Sequence, residues 1–115
     1  MHELSIVMSI VDIANKEAEK HHAPVVESIE LHIGKLSGIE PDAFDFAWQV
    51  AVKGTVLEKT ERIIRYIPGI ALCLDCGTEF SIESPIDGCP ECNSFRKDYK
   101  CGRELRVLTM TVQKE

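Results

Sequence analysis

Four cysteines in the last third of the chain are spaced to hold a metal ion. They form two Cys-x-x-Cys pairs, Cys73 with Cys76 and Cys89 with Cys92, separated by twelve residues. Each pair bends two sulfurs onto one ion, and four thiolates close a tetrahedral shell around zinc without leaving an open position. The spacing therefore predicts a structural zinc site, in which the metal holds the fold and does no chemistry.

The residue after each pair favours the same interpretation. Gly77 follows the first pair and Asn93 the second, and both types tolerate the left-handed backbone that points amides at thiolate sulfurs. A redox dithiol is the alternative, but it needs a strand-to-helix context that neither pair has. Cys101 lies outside the pairs, and we expect a free thiol there, with a fifth metal donor as the alternative.

The start of the chain carries donors of a different kind. Met1 supplies an amine, His2 an amide nitrogen and an imidazole, and Glu3 a carboxylate, a set that suits a borderline metal such as nickel. The large side chain of His2 predicts that the initiator methionine is retained, so that amine and imidazole flank one amide nitrogen. The alternatives are an unstructured terminus and, for Glu3, a favourable charge in a first helical turn.

Helical spacing of apolar residues predicts an amphipathic helix over residues 4–20, directly after these donors. Its expected buried stripe consists of Leu4, Val7, Met8, Val11, Ala14 and Ala18. His21 and His22 follow at the helix end, where a cationic side chain complements the helix dipole. His32 falls on the polar face of a predicted strand. We therefore expect none of these three histidines to bind metal.

A second helix and three strands complete the predicted core. Pro41 suits the first helical position, Phe44 and Trp48 share the apolar face, and the helix stops by Gly54. Alternation and branched residues predict strands over residues 25–33, 61–67 and 105–112. Glu40 directly precedes the second helix, and we expect it to approach the chain terminus across the sheet.

Both cysteine pairs fall between two of the predicted strands, so the metal lobe is an insertion. We expect an α+β fold, with two helices packed on a small three-stranded sheet and an inserted zinc-ribbon lobe. Residues 1–69 and 102–115 would form the nickel-binding α+β domain, and residues 70–101 the zinc-ribbon domain. A lobe of that size needs its metal to be stable.

Charge and composition narrow the classes of function. The net charge is −6, which disfavours general nucleic-acid binding and suits a protein partner or a cation. The basic residues concentrate at Arg96, Lys97, Lys100, Arg103 and Arg106. No apolar run is long enough to cross a bilayer, and no signal peptide is recognisable. We expect a cytoplasmic protein without membrane contact, as a monomer or dimer.

Four features of the chain form a joint signal: Met-His-Glu-Leu-Ser at the start, Ile-Gly-Lys-Leu-Ser-Gly-Ile-Glu-Pro, the two cysteine pairs and Gly-Arg-Glu-Leu-Arg-Val near the end. Together they resemble the HypA/HybF family of metallochaperones, which help to insert nickel during [NiFe]-hydrogenase maturation. The resemblance implies a nickel site formed by the Met1 amine, the amide and imidazole of His2, and Glu3, with Glu40 as a further ligand. It also implies structural zinc at the four paired cysteines.

The same resemblance implies particular partners. They are a HypB-type GTPase, the [NiFe]-hydrogenase large subunit and, in some organisms, urease maturation proteins. The alternative function is a zinc-ribbon module that binds nucleic acid or acts in transcription through its basic cluster. An enzyme is not expected, because the chain has neither a Gly-rich phosphate loop nor a nucleophile elbow.

Overall fold

The structure of the protein is a computed structural model that describes residues 2–113. Within that range the chain forms two helices and six strands. In chain order they are α1 (Glu3–Lys20), β1 (Val25–Gly34), α2 (Pro41–Ala51), β2 (Glu61–Ile67), β3 (Gly69–Cys73), β4 (Glu79–Ile82), β5 (Lys97–Cys101) and β6 (Leu105–Gln113).

The expected fold class is confirmed. One three-stranded sheet has the order β2-β1-β6, and α1 packs against α2. A second three-stranded sheet, with the order β4-β3-β5, accompanies the four-cysteine cluster. Such an arrangement gives an α+β fold with a zinc-ribbon lobe.

The chain divides into two compact units. The first contains the chain up to Leu31, Ile39–Ile64 and the chain from Val107 onwards, and the second contains His32–Gly38 and Arg65–Arg106. The core of the first unit contains buried side chains from both helices, together with Val26, Ile29, Leu31 and Leu57. The second has a smaller core of Ala71, Cys73, Phe80, Ile82 and Cys89.

The predicted buried stripe of α1 was partly wrong. Leu4 and Met8 are 50% and 58% exposed, whereas Ile10 is buried beside Val7, Ala14 and Ala18. Two overlapping stripes at helical spacing share Val7 and both alanines, so the spacing alone did not decide between them. Packing places the small alanines inward, where they allow close approach, and it turns Leu4 and Met8 outward.

Helix α2 follows the prediction closely. Pro41 begins it, and Phe44 and Trp48 are buried. The Arg62 guanidinium lies 5.3 Å from the Trp48 ring centroid and 6.0 Å from that of Phe44. Its Nη2 donates to Asp45 Oδ1 at 2.7 Å. A cation over two aromatic faces with a carboxylate partner ties β2 to this helix.

Strand β5 was not predicted from the sequence. Three of its five residues, Lys97, Asp98 and Lys100, are charged, a composition that is typical of a solvated loop. Antiparallel pairing with β3 makes it a strand, with Leu72 opposite Asp98 and Ala71 opposite Tyr99. This non-local pairing supplies the backbone hydrogen bonds that a short polar segment cannot provide for itself.

Gly34 and Gly102, which lie far apart in the sequence, approach each other closely in the second unit. A Cβ on Gly34 would lie 2.0 Å from the carbonyl oxygen of Gly102. The surrounding backbone is closely bonded, since Gly34 N donates to Glu104 O and Leu36 N donates to Gly102 O, each at 2.7 Å. Only a residue without a side chain allows this approach at position 34.

We expect Gly34→Ala to destabilise the protein by about 3 kcal/mol or more, because a methyl group would overlap a backbone that is held by hydrogen bonds. Gly38→Ala is the matched control, since Gly38 has a positive φ of 82° but open space around it. That control should cost only about 1–2 kcal/mol. Chemical denaturation measures both values, and equal losses would contradict the close-approach explanation.

Candidate metal sites

Four sulfurs converge in the second unit. The Sγ atoms of Cys73, Cys76, Cys89 and Cys92 all lie within 4.8 Å of one another. The Cys73–Cys92 distance is 3.5 Å and the Cys76–Cys89 distance is 3.6 Å. A tetrahedral zinc ion with Zn–S bonds of about 2.3 Å separates its sulfurs by about 3.8 Å. The donor set and its spacing therefore fit zinc.

Each Cys-x-x-Cys pair and the two residues after it form what we call a knuckle: residues 73–78 are the first and residues 89–94 the second. The two knuckles have the same backbone hydrogen bonds. The bonds are Cys73 N to Thr78 O, Gly77 N to Cys73 O, Cys89 N to Ser94 O and Asn93 N to Cys89 O, at 2.8–3.0 Å. Gly77 and Asn93 have φ angles of 79° and 64°, so the predicted left-handed conformation is present at both.

The cluster has a buried side and an exposed side. Cys73 and Cys89 are each 1% exposed and belong to the core that contains Phe80 and Ile82. Cys76 and Cys92 are exposed. One cysteine of each knuckle thus anchors the site in the core, and the other closes it from the solvent side.

The thiols differ in acidity. Hydrogen bonds with Thr78, first through its hydroxyl and then through its backbone, lower the pKa of Cys76 to about 6. The backbone of Ser94 lowers the pKa of Cys92, but contacts with the other three thiols and partial desolvation of its sulfur outweigh this effect and raise that pKa to about 12. A metal must displace these thiol protons when it binds.

Cys101 does not join the four sulfurs. Its Sγ lies 3.5 Å from the carbonyl oxygen of Pro68, and the only metal-ligand cluster among residues 2–113 contains the four paired cysteines. The three later histidines are also outside that cluster. His21 Nε2 instead lies 3.2 Å from Glu17 Oε1, one helical turn away.

The N-terminal donors lie at a helix start. His2 is exposed and is the N-cap residue of α1, where its carbonyl accepts the backbone N–H of Ile6 at 3.0 Å. The first N–H groups of a helix have no acceptor within the helix. The amide nitrogen of His2 is therefore not used by the helical ladder. Met1, the other predicted donor, lies outside the described residues.

Glu3 is buried, at 8% exposure, and its carboxylate connects the two helices. Its Oε2 accepts the backbone N–H of Glu40 at 3.0 Å, while the Glu40 side chain itself is exposed. Glu40 is the N-cap residue of α2 and makes no side-chain cap of its own. A carboxylate from α1 thus interacts favourably with the positive end of α2.

Hydrogen bonds hold the Glu3 carboxylate in its charged form. The terminal amino group, followed by the backbone N–H of Glu40, lowers the pKa of Glu3 from 4.5 to about 2. The sequence placed Glu3 in a first helical turn and predicted that Glu40 approaches the chain terminus, but it did not indicate that the Glu3 carboxylate accepts the backbone N–H of Glu40. The available signal was that Glu40 is a poor N-cap residue and so needs a hydrogen-bond acceptor from elsewhere.

The predicted basic cluster is largely used within the protein. Arg96 pairs with Asp75 at 2.8 Å, and Lys100 pairs with Glu79 at 3.3 Å. Lys97 donates to the carbonyl of Pro85, and the Arg103 guanidinium lies 4.8 Å from the centroid of the Tyr99 ring. Four of the five cations therefore have partners on the protein itself.

Neither of the helices in the described part of the chain has both the length and the apolar character that crossing a membrane would require.

Comparison with known proteins gives consistent matches over nearly the whole chain. A family model described as "Hydrogenase/urease nickel incorporation, metallochaperone, hypA" matches residues 1–112. The protein "Hydrogenase maturation factor HypA" of Parabacteroides distasonis is 44% identical over 115 residues, which cover 100% of both chains. The protein of the same name from Trichormus variabilis is 42% identical over 113 residues, covering 98% of this chain and 96% of the relative.

Two solved structures share the fold. The Ni metallochaperone HypA from Helicobacter pylori superposes with a TM-score of 0.66 at 25% identity, over 100% of both chains. A second solution structure, of a HypA protein, has a TM-score of 0.68 at 24% identity, over 100% of this chain and 98% of the other.

The contact between Glu3 and Glu40 has a direct test. We expect Glu3→Ala to lower the melting temperature and to speed hydrogen exchange of the Glu40 amide about tenfold, because a charged acceptor is lost. Ser5→Ala is the control, since Ser5 is exposed in the same first turn and its hydroxyl donates to the nearby His2 carbonyl instead of contacting α2. Amide exchange followed by NMR measures both variants. Unchanged exchange at Glu40 in Glu3→Ala would contradict this role.

Proposed function

The chain belongs to the HypA family of metallochaperones, which are not enzymes, and from that premise we propose where it carries its metals. A role in hydrogenase maturation as a nickel metallochaperone follows from the family and its relatives. We propose that Ni(II) binds at the N-terminus as cargo and that Zn(II) stays at the four-cysteine site as a structural ion. The observation that carries the nickel proposal is that α1 begins at Glu3, directly after His2.

The proposed nickel ligands are the amine of Met1, the amide nitrogen and imidazole of His2, and Glu3, with Glu40 as a further ligand. Two features of the described residues support this set. His2 is exposed and caps a helix that does not use its amide nitrogen. Glu40 is held to Glu3 by a hydrogen bond of 3.0 Å, which brings the start of α2 to the same place.

The proposed zinc ligands are Cys73, Cys76, Cys89 and Cys92. The fit of their sulfur spacing to a tetrahedral ion supports zinc, and no position is left open for substrate. When bound, zinc would hold the two knuckles together and add folding free energy to a lobe with a small apolar core. The ion would take no part in nickel transfer.

Separating the two metals suits a carrier. Four thiolates on folded knuckles retain zinc, whereas a terminal amine and an imidazole exchange their metal readily with protons or with better donors on a partner. We propose the same division for the domains, with nickel on residues 1–69 and 102–115 and zinc on residues 70–101. Cargo release then leaves the zinc lobe intact.

We propose a HypB-type GTPase and the [NiFe]-hydrogenase large subunit as partners, in the cytoplasm, with urease maturation proteins as a second client group. The family description, which names both hydrogenase and urease nickel incorporation, supports these classes. The alternative function, nucleic-acid binding, has weaker support. Most of the basic cluster is paired within the protein, and the net charge is −6.

Metal stoichiometry tests the two sites separately. We expect His2→Ala, and a chain extended by one residue ahead of Met1, each to lose nickel binding while keeping one zinc per chain. His2→Ala removes the imidazole, the extension displaces the terminal amine, and neither change affects the cysteines. Equilibrium dialysis followed by metal analysis measures both ions. His22→Ala is the matched control, since His22 is an exposed histidine at the far end of α1.

The outcomes separate the candidate functions. Nickel binding that survives both changes would place the nickel site elsewhere, most simply among the thiolates. Salt-sensitive binding of DNA or RNA that survives His2→Ala would favour the zinc-ribbon interaction module.

Nickel affinity should also depend steeply on pH. The amine and imidazole must both lose protons to bind metal, so we expect affinity to fall roughly tenfold or more between about pH 7.5 and pH 6. Dialysis at both pH values measures this change, and circular dichroism verifies that the protein stays folded. An affinity that does not change over this range would contradict ligation by amine and imidazole.

A further inference from the structure

We propose that Asp75 is a positioning residue that ties the two knuckles together and slows the loss of zinc. The inference rests on the zinc assignment made above and is independent of nickel. Asp75 lies between the two cysteines of the first knuckle and binds no metal in this proposal. Its side chain reaches across to residues that follow the cysteines of the second knuckle.

The contact is a compact hydrogen-bonded ring. Asp75 Oδ1 accepts from Arg96 Nη1 at 2.8 Å, and Asp75 Oδ2 accepts from the hydroxyl of Ser94. The backbone N–H of Arg96 donates to the same hydroxyl oxygen at 3.1 Å. One carboxylate therefore holds two residues in a fixed relation, and its bond to the guanidinium is charge-assisted.

Ser94 in turn contacts both cysteines of the second knuckle. Its carbonyl accepts the backbone N–H of Cys89 at 2.9 Å, and its backbone hydrogen-bonds to Cys92. A backbone hydrogen bond also connects the first knuckle to Arg96, since Leu74 N donates to Arg96 O at 3.0 Å. The residue that Asp75 holds thus contacts both cysteines of the opposite knuckle.

The two knuckles are not equivalent in this respect. Thr78 occupies in the first knuckle the place that Ser94 occupies in the second, but its hydroxyl lies 3.2 Å from the Cys76 sulfur. Glu91 occupies the place of Asp75 and is exposed. The side-chain connection between the knuckles therefore starts at Asp75 in the first knuckle and ends at Ser94 in the second.

Release of zinc requires the two knuckles to move apart, since each alone offers only two thiolates. A tie between knuckles that does not involve the metal opposes this first separation. Partners outside the ligand shell typically change metal affinity by about 10- to 100-fold. Asp75 and Arg96 are 39% and 72% exposed in their side chains, which favours the lower end of that range.

The test is the rate at which the zinc-loaded full-length protein gives up Zn(II) to an excess of a chromogenic chelator. We expect Asp75→Asn to release zinc about tenfold faster than the native chain, and Ser94→Ala to do the same. The double variant should be no faster than the faster single variant, because both changes break one tie. Glu91→Gln removes the same charge at the equivalent place and should stay within about twofold of the native rate.

A second measurement distinguishes positioning from general loss of folding. In the ¹¹³Cd-substituted protein, Asp75→Asn should shift the cadmium resonance, because the Ser94 contact to the Cys92 sulfur changes, while Glu91→Gln should leave it in place. If Asp75→Asn released zinc at the native rate, or if Glu91→Gln accelerated zinc release as much as Asp75→Asn does, the inference would be overturned and the zinc assignment would stand. A native chain that binds no zinc would overturn both.

Discussion

The convergence of four sulfurs within 4.8 Å is the constraint on which the second unit depends. Its apolar core is small and includes two of the cysteines themselves, so burial alone gives it limited stability. The repeated backbone bonds of the knuckles, the left-handed residues after each pair and the Asp75 ring all bring the thiols together. Folding of this unit would therefore be coupled to the binding of a metal ion.

The first unit uses a single charged side chain in a comparable way. Glu3 is a buried acid in a helix otherwise packed through Val7, Ile10 and two alanines. Its hydrogen bond to the start of α2 holds the beginning of the chain near a second helix terminus. Of the residues proposed to carry nickel, His2 and Glu3 lie at the start of α1 and Glu40 lies at the start of α2.

Prediction from sequence succeeded where the signal was local. Pro41 at a helix start, the alternation of β1 and the residues after each cysteine pair all act over a few positions. It failed where the deciding contact was distant. Two overlapping apolar stripes on α1 could not be told apart before packing, and β5 is a strand only because β3 lies beside it.

The sequence by itself determined the family and the four-cysteine cluster, because residue type and short spacing carry that information, and it predicted the N-terminal donor set on the same grounds. Only the tertiary structure decided which residues support those donors. Glu3 meets Glu40 and Asp75 meets Ser94 across 37 and 19 positions of the chain. No local pattern encodes such pairs, since their energy exists only once the separate segments have packed.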